Sequence, residues 1–467
     1  MSLYIAGKWV ETEEQMPVIN KYSGEEIGRV SVAGRDHIRQ AVDSAHRAMK
    51  KRPLSPEERY RILSGTSQLI LDNKDELSML LAVEGGKPIK EAEVEINRAA
   101  RTFHISAEEA KRIAGEMVPI SSAGGETKLA FTLRVPIGVV CAIAPFNNPV
   151  NLVAHKIAPA IAAGNAFVLK PASTTPLVAI RLLQYMLQAG MPAEYGHLVI
   201  GSGGTVGEWL LEEEGFNYYT FTGSPAVGKR LKQTIGLRPC ALELGSNSAT
   251  IVHEDADIDR VAEKCARASF YHAGQVCISV QRIYVHETVR ERFLQKMVEV
   301  TGALRLGDPV NPQTDVGPMI SEREAERVVE WVAEAKTLGA HVVCGGSREG
   351  TLVRPTIVTD VPPAAKLCVE EAFAPVVMVN SYRTIDEAID RVNESRYGLQ
   401  GGLFTGSLDL ALRCAREVHV GGLMINETSA YRTDEMPYGG VKESGIGKEG
   451  PKYTIAEMTE SKLIVIH

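Results

Sequence analysis

From about residue 137 the chain alternates short apolar runs with longer amphipathic ones, the pattern of strands and crossover helices on a parallel sheet. Ile137 to Ala144, Ala166 to Lys170, His197 to Ile200, Tyr218 to Phe221 and Cys240 to Leu244 read as buried strands. The intervening helices are marked by their ends. Thr175-Pro176 supplies a cap and a first-turn proline for a helix running through Leu182, Leu183 and Leu187 to a stop near Gly190, and Ser224-Pro225 repeats the signal before Val227 and Leu231. Together these segments predict a doubly wound nucleotide-binding sheet.

A second alternating set follows Leu244. It comprises a strand at Ala249 to Val252, a helix from about Ile258 to Tyr271, a strand at Arg282 to Val285 and a helix from Val289 to Thr301. Residues 1 to about 112 read as mainly helical, with the charged stretch Glu76 to Lys111 expected to pack on the first sheet. Two pieces fit neither unit: the Gly-containing segment 116–135 and the β-rich tail around Lys462–Ile466. They are expected to pair as an arm whose open edge needs a neighbouring subunit. The predicted class is α/β, with a dinucleotide-binding domain over 1–115 and 136–245, a catalytic domain over 246–448, and a small β oligomerisation arm from 116–135 and 449–467.

Length and composition agree with this division. A chain of 467 residues exceeds what one core supports, and its 44% hydrophobic and 23% charged residues suit a globular protein. A net charge of −7 gives no electrostatic footprint for nucleic acid or an anionic membrane. No apolar run suggests a membrane span, and the N-terminus lacks the look of a secretory leader, so a cytoplasmic location is the default expectation. The seven cysteines are scattered singly, which argues against a disulfide framework or a metal site. Taken one at a time, each is more often packing than chemistry.

Local context singles out Cys277. It lies just after a Gly-terminated helix and before a strand, at an element edge where reactive groups tend to sit. Glu243 occupies an apolar strand end, where burial opposes its charge, so it is either ion-paired or functional. Asn147, in the turn Ala144-Pro145-Phe146-Asn147-Asn148-Pro149, is either an ordinary turn residue or an amide donor aimed into the crevice at the strand ends.

These features resemble the aldehyde dehydrogenase superfamily, and the resemblance covers nearly the whole chain. It rests on segments in the family's order: Pro145-Phe146-Asn147-Asn148-Pro149, Leu169-Lys170-Pro171-Ala172-Ser173, Phe221-Thr222-Gly223-Ser224-Pro225-Ala226-Val227-Gly228, Glu243-Leu244-Gly245, Gly274-Gln275-Val276-Cys277, Glu371-Ala372-Phe373-Ala374-Pro375 and Pro437-Tyr438-Gly439-Gly440. Each is weak alone; seven in order, with the acid 34 residues before the thiol, are not.

The resemblance implies that Cys277 attacks an aldehyde to give a thiohemiacetal and then a thioester. It implies that Asn147 and the Cys277 backbone N–H hold the oxyanion, and that Glu243 activates the hydrolytic water. NAD or NADP would take the hydride, with Lys170, Ser173, Gly203, Gly223, Ser224, Gly228, Leu244, Glu371 and Phe373 around the dinucleotide. The glycine-rich run Gly201 to Gly207 has off-pattern spacing for a Rossmann fingerprint and is read as a close-approach loop near the adenine.

Departures from the family pattern sharpen the expectation. Ser173 stands where NAD-preferring members commonly carry a glutamate, so NADP should be tolerated or preferred. Ser246-Asn247 replaces the usual Gly-Lys, and Ala374 replaces a glycine. Asn148, Asn151 and His155 read as a polar aldehyde wall, with Arg432 and Arg98 as candidate anion or hydroxyl clamps. Thr428 to Asp434 resembles the lactaldehyde and non-phosphorylating glyceraldehyde-phosphate dehydrogenase branch. A short hydroxylated aldehyde, lactaldehyde-like and open to a phosphate or sulfonate, is the expected substrate of a homodimer or homotetramer. The alternatives are a CoA-acylating semialdehyde dehydrogenase, in which the water-activating glutamate is typically absent, and a catalytically silent scaffold of the same fold.

Overall fold

The computed structural model describes residues 1–125 and 127–467; Glu126, within the expected arm segment, lies outside the described residues. Two sheets organise the chain. The first has the order Lys8–Val10, Leu3–Ile5, Gly196–Leu198, Ala166–Lys170, Val139–Ile143, Tyr218–Thr222, Cys240–Glu243 and Gly445–Ile446. Its central strands are parallel, with Val139–Ile143 between Ala166–Lys170 and Tyr218–Thr222. The chain moves outward on one side of Val139–Ile143 and then returns to the other, which creates a crevice at the strands' carboxyl ends.

The second sheet runs His341–Cys344, Thr356–Thr359, Val376–Tyr382, Arg282–His286, Ala249–Val252, Gln400–Phe404 and Gly422–Ile425, parallel except at its first pair. Ala249 and Arg282 begin neighbouring strands in register. Glu243 ends a first-sheet strand just before Ala249, and Cys277 lies just before Arg282. The carboxyl edge of one sheet therefore meets the amino edge of the other where acid and thiol sit.

The helices fall where the capping signals put them. Pro176–Gln188 and Pro225–Ile235 both begin on a first-turn proline, and the Ser224 hydroxyl accepts from Val227 N at 3.5 Å. The first 112 residues differ from expectation, because four short strands (Leu3–Ile5, Lys8–Val10, Gln15–Ile19 and Glu26–Ser31) precede any helix. Strands this short carry little period-two signal, and Leu3–Ile5 is held by tertiary pairing of Tyr4 with Leu198.

The charged stretch is two helices, Lys74–Gly85 and Ile89–Ala110, separated where Gly86 takes a left-handed φ of 70° and Pro88 follows. The second packs mainly on the helices Pro56–Asp72 and Asn151–Ala163, one layer out from the sheet on which it was expected. Leu129–Pro136 and Thr459–Ile466 pair antiparallel from Thr459↔Pro136 to Ile466↔Leu129. The partition near the C-terminus is finer than anticipated: Gly445–Ile446, within the stretch expected in the catalytic domain, joins the first sheet beside Cys240–Glu243, and the helix Pro451–Glu457, within the stretch expected in the arm, packs on Asn151–Ala163.

Candidate active site

The helix Ile258–Phe270 ends in a tight turn over Tyr271–Gly274, in which His272, Ala273 and Gly274 take φ values of 47°, 53° and 68°. Two consecutive non-glycine residues in the left-handed region cost roughly 1–2 kcal/mol each, so the surroundings must hold them. At Gly274 a Cβ would strike the Ala374 carbonyl oxygen, which makes glycine the fitting residue there. His272 N donates to Glu91 Oε2 at 2.9 Å, and Gln275 Oε1 accepts from Ile320 N at 2.8 Å. Cys277 is thereby delivered to a recessed, half-buried position.

Cys277 Sγ lies 2.9 Å from Tyr438 Oη. Burial pushes the thiol up to about 12, while the Tyr438 hydrogen bond and the Arg432 guanidinium oppose the rise. Glu243 is 3% exposed, and neither of its carboxyl oxygens has a hydrogen-bond partner among the described residues. Burial first, then the nearby Glu449, lifts Glu243 well above the usual carboxylate range, with Arg432 and Lys156 pulling the other way.

Glu449 behaves oppositely: burial works against its charge, but Lys156 and Arg432 outweigh it and hold the carboxyl at about 2. Lys156 Nζ reaches Glu449 Oε1 at 3.1 Å and Thr222 Oγ1 at 2.7 Å, and Arg432 Nη2 reaches Glu449 Oε2 at 3.0 Å. Arg432 also lies 3.6 Å over the Tyr438 ring, and its Nε is buried without a partner. Two cations thus face one ionised carboxylate beside the thiol, an imbalance that favours a further negative charge there.

Asn147 sits in the turn after Val139–Ile143, and its Nδ2 donates to Gln275 O at 2.8 Å, tying the amide to the thiol loop. The expected polar aldehyde wall is arranged differently. Asn151 Nδ2 and His155 Nε2 both contact Asp434 Oδ1 at 3.0 Å, and Arg98 grips the same carboxylate through Nε and Nη2 at 3.2 and 2.8 Å. Although burial opposes its charge, His155 and Arg98 hold Asp434 far below the usual carboxylate range. Asn148 Oδ1 accepts from Lys87 Nζ at 2.8 Å. The polarity of Asn148, Asn151, His155 and Arg98 is therefore directed to internal partners, whereas among the described residues Arg432 Nε and His155 Nδ1 are buried without one. Burial, then Arg432, lowers the His155 pKa.

The crevice of the first sheet suits a dinucleotide. Lys170, 4% exposed, ends its strand and donates from Nζ to Pro171 O at 3.3 Å. Burial lowers its pKa to about 8. An ammonium so placed is short of acceptors, and ribose hydroxyls would satisfy it. Ser224 starts an eleven-residue helix whose free N–H groups and dipole suit a pyrophosphate. Gly223 precedes it, and Gly228 packs so closely on Leu244 that a Cβ would clash with the leucine side chain. Gly203 lies in an exposed turn with open space where a Cβ would be. Ser173 is half-buried in the loop after Lys170.

Across the crevice, Glu371 Oε1 accepts from Ser246 N at 2.9 Å, and a Cβ on Gly245 would strike the same carboxylate. Burial lifts Glu371 to about 7. Phe373, at φ 48°, meets Phe146 edge-on at 5.9 Å. These residues would hold the nicotinamide end.

Sequence reasoning passed over Tyr438, Lys156, Glu449 and Asp434. Tyr438 lies inside a quoted motif, and Lys156 is a cation in an otherwise apolar helix, so both carried a signal. Glu449 and Asp434 become visible only once their distant partners are placed.

Comparison with known proteins bears on the whole chain. The model of the Aldehyde dehydrogenase family matches residues 9–464. The chain is 52% identical to a 3-sulfolactaldehyde dehydrogenase of Priestia aryabhattai, covering 100% of this chain and 98% of that one. It is 40% identical to a lactaldehyde dehydrogenase of Methanocaldococcus jannaschii, covering 99% and 100%. Among solved structures it matches a glyceraldehyde-3-phosphate dehydrogenase of Methanocaldococcus jannaschii complexed with NADP, with a TM-score of 0.94, 39% identity and coverage of 98% and 100%.

Proposed function

This chain belongs to the aldehyde dehydrogenase family, and we propose that it oxidises a short hydroxylated aldehyde bearing an anionic group, of the 3-sulfolactaldehyde kind, to the carboxylic acid. The observation that carries the substrate class is Arg432. Its guanidinium stacks on Tyr438, whose hydroxyl touches the Cys277 sulfur, and its buried Nε lacks a partner. A sulfonate or phosphate one or two carbons from the carbonyl would satisfy that donor and balance the excess positive charge.

Cys277 is the nucleophile: its thiol proton passes to solvent water and its Sγ bonds to the carbonyl carbon as the C=O π pair moves onto oxygen, with Tyr438 Oη donating to the sulfur. The Asn147 amide and the Cys277 backbone N–H face the oxygen as it gains charge. NAD or NADP, when bound, accepts the hydride. Glu243 then takes a proton from the water that cleaves the thioester, and a carboxylate lifted above its ordinary range is a stronger base than a free glutamate. Glu243 supports hydrolysis over transfer to CoA. Lys170, Gly203, Gly223, Ser224, Gly228, Leu244, Glu371 and Phe373 bind the dinucleotide. Ser173 leaves room for a 2′-phosphate, and NADP is the preferred acceptor.

The arm formed by Leu129–Pro136 and Thr459–Ile466 exposes Leu129, Leu133, Leu463, Val465 and Ile466, and a second copy covers it in a homodimer or homotetramer. All seven cysteines are free thiols, which fits a cytoplasmic residence. Among the described residues, no helix is long and apolar enough to cross a membrane.

An aldehyde panel run with both dinucleotides tests the reading. 3-Sulfolactaldehyde should give the highest kcat/KM, lactaldehyde and glyceraldehyde 3-phosphate less, and hexanal the least. Replacing Arg432 by leucine should erase the advantage of the sulfonate over lactaldehyde. Turnover of hexanal above that of every anionic aldehyde would overturn the substrate assignment.

A further inference from the structure

The N-terminal helices bury three glutamates whose carboxylates are directed at main-chain N–H groups of distant loops. Glu84, at the end of Lys74–Gly85, accepts from Leu177 N at 2.6 Å and Val178 N at 3.0 Å. Those two donors open the helix that follows the Lys170–Ser173 loop. Glu95, on Ile89–Ala110, accepts from Val150 N at 2.9 Å and Asn151 N at 3.1 Å, the start of the helix that follows the Asn147 turn. Glu91, one turn before Glu95, accepts from His272 N at 2.9 Å, the first left-handed residue of the thiol loop.

Neither helix start caps itself: Thr175 and Val150 make no side-chain capping bond. Orphan N–H groups at a helix start need an acceptor, so a carboxyl group from another element both satisfies and locates them. At the thiol loop the need is greater, because His272 and Ala273 hold a conformation that L-residues rarely adopt. Lys87 reinforces one of the three anchors, donating from Nζ to Glu95 and to Asn148 Oδ1 of the turn that Glu95 holds. One rigid unit thus grips the cofactor loop, the oxyanion amide and the thiol.

We propose that Glu84, Glu91 and Glu95 are positioning residues that set the relative placement of the Lys170–Ser173 loop, the Cys277 loop and the Asn147 turn through main-chain hydrogen bonds. None touches the aldehyde or the reacting atoms. The inference rests on the roles given to Cys277 and Asn147 under the proposed function.

Because each glutamate serves a different loop, each should leave its own kinetic mark. Glu91→Leu should slow iodoacetamide labelling of Cys277 and lower kcat by roughly tenfold, on the scale of a buried donor left without its acceptor, with KM for the dinucleotide within about twofold. Glu95→Leu should lower kcat similarly while leaving Cys277 labelling unchanged. Glu84→Leu should raise KM for NADP with little change in kcat at saturation. Glu91→Gln and Glu95→Gln, whose amide oxygen can accept the same main-chain bonds, should restore their parameters, and Glu84→Gln, which keeps one of two acceptors, should restore its own in part. Where a leucine variant does not fold, the alanine variant, which also lacks the acceptor but puts no bulky side chain in its place, should move the same parameter in the same direction. Parameters that move together in all three variants, in proportion to the thermal midpoint and without glutamine rescue, would show a merely structural role and overturn the proposal. Cys277→Ser separates this from the underlying assignment. An active serine variant refutes the nucleophile itself, whereas an inactive one beside unperturbed glutamate variants refutes only the positioning role.

Discussion

The sulfur of Cys277 and the phenolic oxygen of Tyr438 lie 2.9 Å apart, and the Arg432 guanidinium lies over the same tyrosine ring at 3.6 Å from its centroid. In the proposed mechanism the phenol donates to sulfur as the thiolate forms. A hydrogen bond to a charged group contributes about 1.5–3 kcal/mol, one to two decades in thiolate population. Tyr438→Phe keeps the ring beneath Arg432 and removes only the hydroxyl. Its Cys277 should therefore react with iodoacetamide roughly tenfold more slowly near pH 8, with the alkaline limb displaced upward. Labelling at the wild-type rate would remove Tyr438 from the mechanism.

Glu243 has both carboxyl oxygens unpartnered and a pKa lifted well above the ordinary range by burial and Glu449. A raised pKa means that the basic form fills only as pH climbs through it. Thioester hydrolysis should accordingly rise with pH over a range higher than that of a free glutamate and fall off toward acid. In Glu243→Gln the first turnover should survive as a burst of reduced dinucleotide, while steady-state turnover collapses and loses this limb. A variant with full steady-state rate and an unchanged pH profile would place the base elsewhere.

Asn147 donates to the Gln275 carbonyl in the thiol loop. The same amide is free to turn to the substrate oxygen as charge develops there. Loss of a single oxyanion donor typically lowers kcat by about 10²–10³-fold, and Asn147→Ala should fall in that range with KM little altered. Near-full turnover would leave the oxyanion to backbone donors alone.

Ser173 is half-buried in the loop after Lys170. A glutamate placed there would repel a 2′-phosphate and bond the free ribose hydroxyls. Ser173→Glu should shift the ratio of kcat/KM for NADP over NAD by tenfold or more toward NAD, a change of about 1.4 kcal/mol. An unchanged ratio, measured with one aldehyde under saturation, would show that discrimination lies elsewhere in the crevice.

Burial lifts Glu84 from 4.5 to about 8 against two backbone hydrogen bonds. The folded state then holds its proton more tightly than the unfolded chain, so this group's contribution is fully present below 4.5 and is lost as pH rises toward 8. Glu84→Gln cannot titrate, and its thermal midpoint should decline less across that window than the wild type's. Parallel curves would mean that Glu84 is ionised in the fold throughout.

The segments around Cys277, Glu243 and Asn147 were legible because they are short local motifs in a fixed order, and the roles proposed for the three side chains are what the variants above test. The parallel strands from Val139 to Glu243 were legible for a similar reason, since each is a compact apolar run with a capped helix behind it. The polar wall was misread at Asn151 and His155, because a single sequence shows that a side chain is polar but not which partner it has. Here that partner is Asp434, more than 270 residues away. The opening strands were missed since three-residue strands exist by virtue of the neighbour they pair with, as Tyr4 does with Leu198. Glu91 carried the same handicap. Helical spacing marks it as an inward-facing charge, but nothing local indicates that it holds a loop 181 positions further along.

The crossing of the tail into the first sheet bears on how the protein is made. Gly445–Ile446 supplies the strand beside Cys240–Glu243, and Met458 O accepts from Ile137 N and from Asn165 Nδ2. A ribosome has therefore synthesised almost the entire polypeptide before the first-translated half can close. During that interval the edge at Glu243 is unpaired and the helix Asn151–Ala163 lacks its cover from Pro451–Glu457, which leaves this edge open to wrong pairing until the last residues arrive.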